Sequence, residues 1–192
     1  MNSDNLKAVL QQFISRPLPR CQARELSLPI GSKKVVGLAG VRRSGKTFLF
    51  FHTIQKLADK GIDRSRLIYL NFEDDRLQPL RSEDLDLILR THRELFPKTI
   101  GQRCYLFLDE VQNVTGWERW VRRIYDTEDV ELFVTGSSSQ LLTRGPSSQF
   151  PDNYCLNTSQ HPDIPTSQRP NVPNVPTSTP QYASTGANHF SI

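Results

Sequence analysis

The run Gly40-Val41-Arg42-Arg43-Ser44-Gly45-Lys46-Thr47 constrains this chain more than any other feature. It fills every fixed position of the pattern G-x-x-x-x-G-K-[ST]. Before it lies the short apolar run Val35 to Ala39, and after it Phe48, Leu49, Phe51, Ile54 and Leu57 follow helical spacing. A strand, a glycine-rich turn and a helix are therefore expected in that order, which is the context such a match requires. The glycines let the backbone turn tightly and aim its N–H groups at phosphate oxygens, and the helix start adds a favourable dipole. Lys46 is then expected to reach the β- and γ-phosphates of ATP, and the Thr47 hydroxyl to ligate Mg²⁺. We read Gly40, Val41, Arg42, Arg43, Ser44, Gly45, Lys46, Thr47 and the adjoining Phe48 as nucleotide-binding residues.

The rest of the first 144 residues has a matching rhythm. Leu6, Val9, Leu10, Phe13 and Ile14 predict a helix over residues 2 to 15, capped by Asn2 or Ser3 and ended by Pro17 and Pro19. Apolar runs predict strands at Lys33 to Ala39, Leu67 to Phe72, Cys104 to Leu108 and Val130 to Thr135. Between them, helices are expected at Lys46 to Gly61, at Ser82 to Phe96 with Ser82 as its cap, and at Trp117 to Tyr125. The strands are apolar throughout instead of alternating, as in a parallel sheet covered on both faces. The expected fold class is α/β: a P-loop nucleotide-binding domain with a three-layer α/β/α parallel sheet.

The third predicted strand ends in Asp109-Glu110. Open α/β sheets bind ligands outside the carboxyl ends of their strands, so Asp109 is placed to hold Mg²⁺ and Glu110 to polarise an attacking water. A second carboxylate suits hydrolysis better than transfer to a small molecule. Thr135 and Ser137, where the fourth strand runs out, could sense the γ-phosphate or hold the water. They could equally form a polar turn with a serine cap for the next residues.

Composition separates this region from the C-terminal segment. Residues 145–192 hold 8 of the 13 prolines and only three charged side chains, Asp152, Asp163 and Arg169. Low apolar content and no periodicity predict a disordered tail there, unable to supply a further strand. The two expected regions are thus 1–144, the nucleotide-binding core, and 145–192, the tail. No stretch approaches a membrane span, the N-terminal residues lack signal-peptide order, and three scattered cysteines suit reduced thiols. A cytoplasmic setting with no membrane partner is expected. The net charge of +4 is compatible with a polyanionic ligand but does not establish nucleic-acid binding.

GVRRSGKT, NFEDDRL, YLFLDEVQNVTGWERWVRRIYD and FVTGSSSQLLTR, taken in order, resemble the prokaryotic AAA-type ATPases of the archaeal-ATPase-like group. The resemblance covers about residues 1 to 144. It implies that Lys46 and Thr47 serve nucleotide and magnesium, that Asp109 and Glu110 are the acidic pair, and that 135–139 is a phosphate-sensing strand end. It also implies that Arg42 and Arg43 are ordinary occupants of the loop, which the residues alone leave as phosphate contacts or solvated charges. Members of the group usually continue into a lid and a larger C-terminal domain. By this comparison the chain reads as a truncated form, with a frameshift favoured over a natural short form. The implied activity is Mg²⁺-dependent ATP hydrolysis, impaired by truncation. The alternative is a nucleotide-dependent regulatory or DNA-associated switch with little turnover. A homo-oligomer or protein partner is compatible with either.

Three further features have plainer expectations. Trp117, Trp120 and Ile124 share one helical face and are expected to pack in a core. Arg119, Arg122 and Arg123 are expected to form a solvated basic face. Asn71, Glu73, Asp74 and Asp75 are read as loop material.

Overall fold

In the computed structural model, residues 1–19, 27–32, 34–41 and 43–136 are described in full, and 154–158 by their backbone. Helix α1, Ser3–Ser15, opens where the Asn2 side chain accepts a hydrogen bond from the Asp4 amide at 2.8 Å. It buries Leu6, Val9 and Leu10. Strand β1, Val35–Ala39, runs into the glycine-rich loop, and α2, Lys46–Asp59, leaves it. Gly61, just past that helix, has φ +86°, a left-handed conformation that suits glycine after a helix end. The remaining elements are β2 (Leu67–Asn71), α3 (Asp86–Leu95), β3 (Cys104–Asp109), α4 (Trp117–Thr127), β4 (Val130–Gly136) and β5 (Tyr154–Thr158).

All five strands pair in parallel in the order β2-β3-β4-β1-β5. Both faces of the sheet are covered, which is why its strands read as apolar runs. On one face, Ile68, Leu70, Leu106, Leu108, Leu132 and Val134 pack with α1, α3 and α4. On the other, Val36, Leu38, Leu67, Tyr105, Phe107 and Phe133 pack against Phe50, Ile54 and Leu57 of α2. Phe107 and Phe133 stack at 4.6 Å, and Phe50 meets Phe107 edge-on at 5.3 Å. This is the three-layer α/β/α sheet expected from the sequence.

Two expectations are corrected. Ser82 does not cap a helix: Ser82–Leu85 is a 3₁₀ turn, and α3 begins at Asp86. The Asp84 carboxylate turns back to accept from the Arg81 amide at 3.0 Å and from the Met1 amine at 2.8 Å, and this fixes the tighter turn. The second correction concerns residues 145–192, which were not expected to supply a strand. Strand β5 lies within them and pairs with β1 from Val35↔Tyr154 to Ala39↔Thr158. Averaging composition over the whole segment hides the local run Tyr154-Cys155-Leu156-Asn157-Thr158, which contains no proline to interrupt a ladder. The disorder expected for the rest of that segment concerns residues outside those described.

The chain divides into Met1–Gln160 and His161–Ile192, and every described residue belongs to the first unit. Among the described residues, no helix is long and apolar enough to cross a membrane. Cys104 is buried and free, and burial pushes its thiol pKa up. Trp117 and Trp120 are buried in the core, as their spacing predicts. On the same helix Arg122 pairs with Asp126 at 2.7 Å and Arg123 pairs with Asp86. Arg119 is exposed.

Candidate functional site

Side-chain alternation decides which residues meet. On β3, Leu106 and Leu108 face the α1/α3/α4 layer while Tyr105 and Phe107 face α2, so the next odd residue, Asp109, emerges on the α2 side. The same parity sends Tyr69 of β2 and Thr135 of β4 to that side, at the carboxyl ends of adjacent strands. Helix α2 begins there with Lys46 and Thr47. Three strand ends and one helix start, each far from the others in sequence, thus converge.

The loop from β1 to α2 is shaped by two left-handed residues, Arg43 at φ +64° and Gly45 at φ +84°. Gly45 takes that conformation without the strain a Cβ brings, whereas Arg43 bears it, as residues at functional loops often do. The Ser44 amide closes the turn on the Val41 carbonyl at 3.2 Å. No side chain caps α2, which opens directly from the glycine-rich loop. Lys46 is 5% exposed, and its Nζ lies 3.1 Å from the Gly40 carbonyl, 3.2 Å from that of Val41 and 3.6 Å from Glu110 Oε1. Val41 and Phe48 flank the loop as exposed apolar residues. Arg42 lies outside the described residues.

Asp109 is the centre of the polar arrangement and is 1% exposed. Its Oδ2 accepts from Thr47 Oγ1 at 2.6 Å and from the Tyr69 hydroxyl at 3.0 Å, and its Oδ1 accepts from Thr135 Oγ1. Three hydroxyl donors surround a buried carboxylate that has no Lys or Arg ion pair among the described residues. A buried charge so placed calls for a cation. Burial, and then the negative charge of Asp109, push the Tyr69 phenol pKa well up, so it stays a donor.

Glu110 follows in a left-handed conformation, φ +55°. Its amide donates to Thr135 Oγ1 at 3.0 Å, and its carboxylate takes Lys46 on one oxygen and Gln112 Nε2, at 2.6 Å, on the other. Thr135 is fully buried and joins β4 to both acids at once. Ser137 lies outside the described residues. Asn71 and Asp74 serve their own loop: Asn71 accepts from the Glu73 amide at 2.9 Å, and Asp74 binds Arg76.

Sequence reasoning missed Tyr69 and Gln112. Gln112 could have been found two residues past Glu110, whereas Tyr69 carries no local signal at all. No group of three or more His, Cys, Asp or Glu residues that could hold a metal occurs among the described residues.

A strand-loop-helix of this sequence, with an acidic strand end beside it in a β2-β3-β4-β1-β5 sheet, defines an AAA-type P-loop ATPase domain. The chain belongs to the AAA domain family, whose model matches residues 32–158, a range that includes β5. An uncharacterized protein of Methanocaldococcus jannaschii is 35% identical over 121 residues, covering 63% of this chain and 25% of that protein. An uncharacterized protein of Haemophilus influenzae is 31% identical over 107 residues, covering 55% and 26%. The chain thus spans about a quarter of the length of these curated relatives. A solved structure of C. elegans PCH-2 aligns with a TM-score of 0.40 and 14% identity, covering 81% of this chain and 41% of that one.

Proposed function

We propose that this domain binds ATP with Mg²⁺ and hydrolyses it to ADP and phosphate. The observation that carries the reading is the pairing of Thr47 Oγ1 with Asp109 Oδ2 at 2.6 Å, beside Lys46 and Glu110 at 3.6 Å. One pair offers a hydroxyl and a buried carboxylate to a metal, and the other offers a cation and an acid to the terminal phosphate and its water. Thr47 Oγ1 and the Asp109 carboxylate would hold Mg²⁺, which when bound would supply positive charge against the negative charge developing on the phosphates. Lys46 would exchange the two loop carbonyls for phosphate oxygens, and the loop backbone with the N-terminus of α2 would hold the phosphate chain. Glu110 would accept a proton from water as the water oxygen bonds to the γ-phosphorus. The bond from that phosphorus to the β–γ bridging oxygen breaks, and the electron pair leaves with ADP.

A second reading, a nucleotide-dependent switch with little turnover, is supported by the occupation of Glu110 by Lys46 and Gln112. Glu110 must leave both partners before it can act on water. Glu110→Gln and Lys46→Ala decide between the readings when ATP-dependent thermal stabilisation and phosphate release are measured together. Under hydrolysis, Glu110→Gln keeps the stabilisation and loses turnover, while Lys46→Ala loses the ATP-dependent stabilisation, measured against its own nucleotide-free melting temperature, which falls because Lys46 is buried and paired with Glu110. Equal turnover in Glu110→Gln removes its assigned role. Equal stabilisation in Lys46→Ala removes the site.

A further inference from the structure

We infer that Tyr69 is a positioning residue for the metal-facing carboxylate, and that α1 is part of its support. The inference rests on the proposed reading of Asp109 as that carboxylate. Tyr69 lies one strand over, its backbone opposite Phe107 while Asn71 is opposite Asp109. The side chain therefore has to reach diagonally along the face, a span for a phenol and not for a serine or threonine. Asn71, directly alongside, spends its side-chain oxygen on the Glu73 amide.

The phenol shares Oδ2 with Thr47, the hydroxyl on the helix that carries the phosphate loop. With Thr135 on Oδ1, the carboxylate plane is fixed from three elements, β2, α2 and β4. Groups that orient a metal-facing carboxylate in this way set how well it serves the metal. The ring of Tyr69 is itself wedged between two others, 4.9 Å from Phe51 of α2 and 5.4 Å from Phe13 of α1. Arg64 holds Phe13 in place, with its guanidinium 4.7 Å from the ring centre and Nη2 donating to the Phe13 carbonyl at 2.7 Å. Helix α1 precedes the segment matched by the family model, residues 32–158, yet through Phe13 it supports a group bonded to Asp109.

Tyr69→Phe keeps the ring and removes only the hydroxyl, so it separates positioning from packing. The test is calorimetric titration of the whole chain with ATP, first in EDTA and then at stepped Mg²⁺ concentrations. We expect Tyr69→Phe to keep the metal-free ATP affinity within about twofold and to raise the half-saturating Mg²⁺ concentration about tenfold, as for other groups that orient metal ligands. Phe13→Leu, which keeps an apolar filler without the ring, should shift the Mg²⁺ requirement in the same direction, and it carries the readout alone if Tyr69→Phe does not fold. An unchanged Mg²⁺ requirement in folded Tyr69→Phe overturns the inference while leaving the nucleotide site standing. A wild-type chain that binds no ATP in either condition overturns the proposed function, and the inference with it.

Discussion

Thr135→Val should destabilise the domain out of proportion to its size, because one buried hydroxyl makes two hydrogen bonds that valine cannot. It donates to the Asp109 carboxylate and accepts from the Glu110 amide at 3.0 Å. A bond to a charged acceptor is worth about 1.5–3 kcal/mol, and an amide left unsatisfied away from water costs about 1–3 kcal/mol. Adding the lower end of each gives a loss of about 2.5 kcal/mol. At about 3 °C per kcal/mol for a domain of this size, the melting temperature should fall by about 7.5 °C. Thr135→Ser keeps both bonds and loses one methyl, which should cost only about 1 kcal/mol. Both variants and the wild type would be unfolded by heat and by urea in EDTA without nucleotide, so that only the fold is read. If valine matches the wild type, or is no worse than serine, the hydroxyl is not the tie between β4 and the acidic pair and the reasoning fails.

Two other perturbations test the layers around the site. Phe107→Ala opens the aromatic stack between α2 and the sheet and should cost about 3–5 kcal/mol, read as a lower urea midpoint with the slope unchanged. His92 is buried and donates through Nε2 to the Ser65 carbonyl at 2.6 Å, and burial lowers its pKa. The unfolded chain therefore takes up this proton first as pH falls, so stability is lost from about pH 6.5 downward. Melting temperatures between pH 7.5 and 5 should show that loss in the wild type and less of it in His92→Gln.

What could be read from the sequence depended on whether a residue's neighbours were close along the chain. Gly40 to Thr47 could be read because each position has a local backbone duty, and Asp109-Glu110 because a strand visibly ends there. The contact between Tyr69 and Asp109 could not: it needs the β2–β3 pairing, the register Asn71↔Asp109 and the alternation of both strands at once. Thr135 was legible as a strand-end hydroxyl, but its two hydrogen bonds, to the Asp109 carboxylate and from the Glu110 amide, arise only because β4 lies beside β3. Strand β5 was lost by the opposite error, since a composition average over a long polar segment outweighed five residues within it. Ser82 was misplaced because Asp84, two residues later, competes for the same turn.

The strand order has a consequence for how the protein is made. Strand β1 carries the phosphate loop, yet its two sheet neighbours, β4 and β5, are the last strands of the described chain. Val36 waits for Phe133 and Val35 for Tyr154, about 100 residues further on. At roughly 5–20 residues per second, a ribosome needs about 5–20 s to supply the first of these partners. Through that interval the complete G-x-x-x-x-G-K-T run exists as sequence, with no β4 beside β1 and no Thr135 to fix the acidic pair. Contacts this distant also slow folding, because loop closure must come before they form. Nucleotide binding should therefore emerge only once β4 has been made, although the G-x-x-x-x-G-K-T run is translated well before it.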